Sequence, residues 1–119
     1  MGTIVKFEDL KVWKDSMRLT SDIYKQFIHS HDYGFRDQVQ RAGVSIPSNI
    51  AEGYERQSNK EFIRFLFIAK GSCGELRTQI YLAVELKLIG KDKGMELLQQ
   101  TREISAMLYG LIKTRSQRF

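Results

Sequence analysis

Apolar residues recur at alternating intervals of three and four along most of the chain, the spacing of one face of an α-helix. Leu10, Trp13, Met17, Thr20, Tyr24 and Phe27 form the first such row, predicting a helix from about residue 9 to residue 30 with Asp9 as its N-cap. The stretch "HSHDYG" reads as a turn in which Gly34 takes a positive φ. Phe35, Val39, Ala42, Ile46 and Ile50 form the second row. Pro47 falls inside it. Its ring has no N–H and crowds the carbonyl four residues back, at Gly43. The apolar period passes through the proline without changing phase, so the reading is one kinked helix ending in "EGYERQ".

"SNKE" then carries the capping-box pattern, Ser58 and Glu61 serving each other's backbone N–H groups at the start of a third helix. Phe62, Phe65, Ala69, Cys73, Leu76, Ile80 and Ala83 form its face, and it runs to about residue 88. After the loop "IGKDKG", Leu97, Thr101, Ile104, Leu108 and Leu111 mark a fourth helix over about residues 92–113. No strand-like alternation of any length occurs. Four helices of similar length with short connections predict an all-α, antiparallel up-down-up-down four-helix bundle whose second helix is kinked by proline. Residues 1–119 read as one domain, with 113–119 a basic tail free to be flexible.

Two features ask for more than a lone bundle. "FIRFLFIAK" is apolar nearly all round, which calls for burial on a second side and so for another subunit. A polar stripe runs beside the core stripe: Gln38, Arg41, Ser45, Asn49 and Glu52 on the second helix, Ser72, Glu75 and Gln79 on the third. Polar groups this near a core must be hydrogen-bonded. They form either an interhelical seam, with Arg41 meeting Glu75 or Glu52, or a small-ligand groove. Gly43, Gly71 and Gly74 lie inside helices, where each costs about 1 kcal/mol against alanine. Close helix–helix approach is the usual compensation.

Composition narrows the class. The chain has 119 residues, 42% hydrophobic and 28% charged, an ordinary globular balance. Its one cysteine, Cys73, allows no internal disulfide and points to the cytoplasm. The first ten residues hold no secretory apolar run, and no window is long and apolar enough to span a membrane, so no membrane partner is expected. The net charge of +5 lies wholly in the second half: residues 1–58 are balanced, while 59–119 hold eleven bases against six acids. That asymmetry fits nucleic acid, RNA or DNA, or an acidic protein partner.

Chemistry-bearing residues are sparse. His29 and His31 are two apart and would not share a helical face; they suit a helix C-terminus better than a metal. Cys73 between Ser72 and Gly74 reads as a buried thiol. No metal-ligand spacing and no phosphate-cradling glycine loop is present. The reading is therefore of a protein with no catalytic residues, metal or cofactor, not an enzyme. The aromatic residues fall on core positions, which leaves no platform for stacking bases.

"FEDLKVW" at residues 7–13, "QVQRAGVSIPSNIAEGYER" at 38–56, "EFIRFLFIAKGSCGEL" at 61–76 and "ISAML" at 104–108 together resemble the 23S rRNA intervening-sequence protein family, also called the S23 or four-helix-bundle family. The resemblance covers nearly the whole chain. It implies a bacterial four-helix bundle that assembles into a ring-like homopentamer. Its distant relatives, the accessory variability proteins of diversity-generating retroelements, bind nucleic acid. It brings no catalytic residues and no established function. The function expected is thus a non-enzymatic oligomer binding nucleic acid, RNA foremost, through Arg56, Arg64, Lys70, Arg77, Lys113, Arg115 and Arg118. The alternatives are a protein-interaction scaffold and, more weakly, a small-ligand site at the polar stripe.

Overall fold

A computed structural model describes residues 4–118. A 3-10 turn, Phe7–Asp9, leads into α1 (Lys11–Phe27), α2 (Tyr33–Glu55), α3 (Asn59–Glu85) and α4 (Lys91–Arg118). The helices pack in that order around one core, α4 closing back on α1, in a bundle of 45 × 22 × 21 Å. This is the expected antiparallel four-helix bundle. The core faces predicted for α3 and for most of α2 and α4 are buried, joined by Leu66, Leu98 and Ile112.

α2 runs unbroken through Pro47. Proline cannot donate to the carbonyl of Gly43, which would be left unpaired inside the bundle. Thr20 of α1 supplies the missing donor: its hydroxyl lies 2.8 Å from the Gly43 carbonyl and also 2.8 Å from that of Ser16, one turn back in α1. Gly43 is buried directly against Thr20, whose Cγ2 would lie 3.5 Å from an added β-carbon. The proline therefore imposes a particular neighbour at a particular height on α1.

α1 is turned by about one residue from its predicted orientation. Val12, Ser16, Leu19, Ile23 and Phe27 face the core, while Met17 and Tyr24 are 47% and 43% exposed. α1 carries two adjacent apolar rows, and periodicity alone cannot rank them. Placing Thr20 at the α1–α2 boundary selects the row that buries Leu19 and Ile23. Ser16, brought into the core by this choice, bonds the Trp13 carbonyl at 2.8 Å.

The helix ends differ in detail. Asp9 is not an N-cap; it closes the 3-10 turn, and Leu10 stands at the cap position with no side-chain bond. α2 starts earlier than expected because Asp32 accepts the Phe35 N–H at 3.1 Å, which takes Gly34 into the helix. No described glycine has a positive φ; Lys87, after α3, takes that conformation with φ 61°. Ser58 caps α3 by accepting the Glu61 N–H at 3.1 Å, but the Glu61 carboxylate pairs with Arg64 rather than returning to Ser58. The tail expected to be flexible continues α4 to Arg118.

Glycines play opposite parts. At Gly53 an added β-carbon would lie 2.5 Å from Phe65 Cβ and 3.2 Å from Phe62, so α2 and α3 close on each other there. At Gly71 and Gly74, expected to serve helix packing, it would meet nothing within 4 Å. Cys73 is buried and lies 3.2 Å from the Thr101 carbonyl, to which its thiol donates. Burial pushes that thiol up to about 11, with Arg77 and Lys70 pulling weakly the other way.

Thr20→Val is expected to cost about 1–3 kcal/mol in urea denaturation, the usual penalty for a buried polar group left unpaired. In a Pro47→Ala background, where residue 47 regains an N–H for Gly43, the cost should shrink; equal costs in both backgrounds would refute the role given to Thr20. Gly53→Ala should destabilise by roughly 1–3 kcal/mol through overpacking, whereas Gly74→Ala should stabilise by up to about 1 kcal/mol. The raised Cys73 value makes a third prediction. The folded state holds its thiol proton more tightly than the unfolded chain, so this contribution is intact below pH 9 and is lost as pH rises towards 11. Cys73→Ala should flatten the fall in stability across that window, measured against the parent protein.

Candidate functional site

The two polar rows expected between α2 and α3 meet only in part. Ser45 and Ser72 share a 2.8 Å hydrogen bond, and the Asn49 amide donates to the Ser45 hydroxyl at 2.9 Å and to its carbonyl at 2.7 Å. These three residues close a small internal network that ties α2 to α3. Gln79, two turns beyond Ser72 on the same face of α3, is buried, and its side-chain oxygen has no hydrogen-bond partner among the described residues. Gln38, Arg41, Glu52 and Glu75 lie on the exposed flank. No ion pair joins Arg41 to Glu75 among the described residues; Glu52 pairs instead with Arg56 at 2.7 Å. Arg41, Ser45 and Asn49 line a wide, shallow depression with Tyr24, Asp37 and Val44.

The predicted basic residues separate into two groups. The first sits at the end of the bundle where α2 ends and α3 begins. Arg56 and Arg64 lie over the Phe65 ring, 4.9 and 4.7 Å from its centroid, and each is held by a carboxylate, Glu52 at 2.7 Å and Glu61 at 3.1 Å. The Arg64 hydrogen bond keeps the Glu61 carboxyl below its ordinary value. Arg115 lies over Phe62 at 4.9 Å and contacts Asn59, whose amide donates to the Arg115 carbonyl at 3.0 Å. Arg56 and Arg115 reach across from the neighbouring chain segments to rings of α3, while Arg64 pairs within α3, and the charge of each meets a neighbouring acid or ring. Arg118 belongs to α4, but its side chain lies outside the described residues.

The second group lies along the α3–α4 face. Lys70 and Arg77 are two turns apart on α3, on the side of Cys73, whose thiol feels both charges. Cys73 meets Thr101 and Asn59 meets Arg115, so the helices are antiparallel with α4's C-terminal half beside α3's N-terminal half. Lys113 thus extends the row at one end. Arg102 fills its middle, donating to the Tyr81 hydroxyl at 2.8 Å. Among the described residues no ion pair joins Lys70, Arg77, Arg102 or Lys113 to an acid. Two of the nearby acids face elsewhere. Glu103 turns to the α1 side, beside Asp15 and Arg18. Glu75, three positions after Ser72, shares the α2 flank. Glu85 lines one depression with Tyr81, Lys91 and Met95, at the far end of the row.

Aromatic side chains interleave with these cations, contrary to the expectation that all are core. Tyr81 and Tyr109 are 51% and 58% exposed. Arg102, Tyr81 and Tyr109 were absent from the sequence-based set. Their signal was present as positions 102, 109 and 113, which share one flank of α4 outside its core row. It carried no weight until that flank was seen to adjoin Lys70 and Arg77.

His29 and His31 sit at the α1–α2 turn, apart from this face, with the His31 ring stacked on Tyr33. Among the described residues no group of three or more His, Cys, Asp or Glu is placed to hold a metal ion. No helix of the described residues is long and apolar enough to cross a membrane.

Comparison with known proteins follows the fold. No curated protein matches the chain. A crystal structure of a protein of unknown function from the S23 ribosomal protein family of Bacteroides thetaiotaomicron VPI-5482 superposes with a TM-score of 0.81. The two are 27% identical over 87% of this chain and 99% of the other. The sequence model of the 23S rRNA-intervening sequence protein family matches residues 8–110, and on that match over most of its length the chain belongs to this family.

Proposed function

We propose that the protein is a non-enzymatic, self-associating four-helix bundle that binds nucleic acid, RNA foremost, through its α3–α4 face. The observation carrying this reading is the row of Lys70, Arg77, Arg102 and Lys113, which no ion pair joins to an acid among the described residues. Such a row attracts phosphates, and its affinity comes largely from released counterions rather than from base contacts. It also explains why the charge excess of the chain falls in its second half, which forms α3 and α4. The arginines around Phe65 play a lesser part because Glu52 and Glu61 already balance them.

Self-association is supported by apolar surface that the single chain leaves uncovered on opposite sides. Phe67, Ile68 and Leu82 are exposed on α3, beside the open backbone of Gly71. Met17, Tyr24 and Val44 are exposed across α1 and α2. Unlike patches on opposite sides suit head-to-tail contact, which closes rings when the rotation allows. This agrees with the pentamer implied by the family resemblance.

In fluorescence anisotropy with labelled RNA oligonucleotides at about 50 mM salt, binding should be measurable and should fall steeply with added salt. Lys70→Ala and Arg77→Ala should each reduce the slope of log affinity against log salt by roughly 0.7–0.9. Arg56→Ala should change it little. Absence of binding at that salt concentration would defeat the proposal, and light scattering on the same samples tests self-association separately.

A further inference from the structure

We infer that the ligand of the α3–α4 face is a single-stranded nucleic acid whose bases stack on Tyr81 and Tyr109; this rests on the nucleic-acid reading above and names the form of the ligand. A basic row alone would serve a duplex or a single strand equally, since both present phosphates. The tyrosines break the tie. A duplex keeps its base faces inside the stack, whereas a single strand offers them to any exposed ring.

Both rings are half or more exposed; Tyr81 touches Arg102, and Tyr109 stands one turn before Lys113 on α4. Tyr81 is also held in place. Its hydroxyl accepts from Arg102 at 2.8 Å, which fixes the phenol and sets a guanidinium at its edge. A ring fixed before binding loses less freedom when a base stacks on it. Seven residues of α4 separate Arg102 from Tyr109, roughly 10 Å of helix rise. The two rings therefore take different bases of one strand, with the backbone passing Lys70, Arg77 and Lys113 between and beyond them. Gly74, where an added β-carbon would meet nothing within 4 Å, keeps the α3 side of this path low. Stacking of this kind tolerates any base, so little sequence preference is expected.

The test compares a labelled single-stranded RNA with the same strand annealed to its complement, by anisotropy at one salt concentration. The single strand should bind at least tenfold more tightly. Tyr81→Leu and Tyr109→Leu should each weaken single-strand binding by roughly 5- to 100-fold, the effect of losing one stacked base. Duplex binding and the salt slope should be unchanged. Tyr81→Phe keeps the ring and should retain single-strand affinity within about threefold. Circular dichroism of each variant checks that the exposed substitutions leave the bundle folded. Equal affinity for both forms, with no effect of either leucine variant, overturns stacking while leaving the phosphate-binding reading intact. Leucine variants that lose the oligomer by light scattering yet keep single-strand affinity would assign the rings to a subunit contact and overturn the inference. Failure of both nucleic acids to bind removes the underlying reading as well.

Discussion

The bundle is organised around a missing hydrogen bond. Pro47 leaves the Gly43 carbonyl without its donor in the middle of α2, and Thr20 provides one from α1. Leaving such a group buried and unpaired would cost a sizeable part of the stability of a small domain. The contact settles which row of α1 faces inwards and where α1 stands against α2. From that placement follow the exposure of Met17 and Tyr24 and the burial of Leu19 and Ile23. A second polar tie, Ser45 to Ser72 with Asn49 above it, sets the height of α2 against α3. Both ties have one end in the stretch "RAGVSIPSN", which acts through backbone accounting and helix register.

The electrostatic design follows from the same register. At the bundle end, Glu52 and Glu61 each lie within one helical turn of an arginine, so Arg56 and Arg64 are balanced locally and packed over Phe65. Along α3 and α4, the acids at 75 and 103 fall on outer flanks, one beside α2 and the other beside α1. The basic side chains between them stay unbalanced. Net charge alone does not make a basic face; separation of the acids from the bases by helical phase does. Exposed tyrosines on that face give it a second chemistry, aromatic surface beside cations, which suits a flexible polyanion with accessible rings.

Sequence pattern and structure part where two local signals compete. The rows on α3 and α4 are predicted well because each helix has one dominant apolar stripe. α1 has two, and local spacing could not choose between them. Capping signals behaved similarly. Ser58 capped α3 as its pattern implies, but Asp9 lost to a 3-10 turn, and Asp32 took the cap at α2 that "HSHDYG" obscured. The pairs Glu52–Arg56 and Glu61–Arg64 are legible in linear order as spacings of four and three; what linear order cannot show is that Lys70, Arg77 and Lys113 share one face with Arg102.

What the sequence determined by itself was the helical period, the four segments, the passage of α2 through its proline and the family. All of these depend on residues within a few turns of one another. The tertiary structure alone decided which α1 row is core, which polar residues meet, which glycines are crowded and which cations share a face with Tyr81 and Tyr109. Those outcomes depend on the rotation of each helix about its axis. That rotation is set by contacts between residues far apart in the chain, such as Thr20 with Gly43 and Cys73 with Thr101.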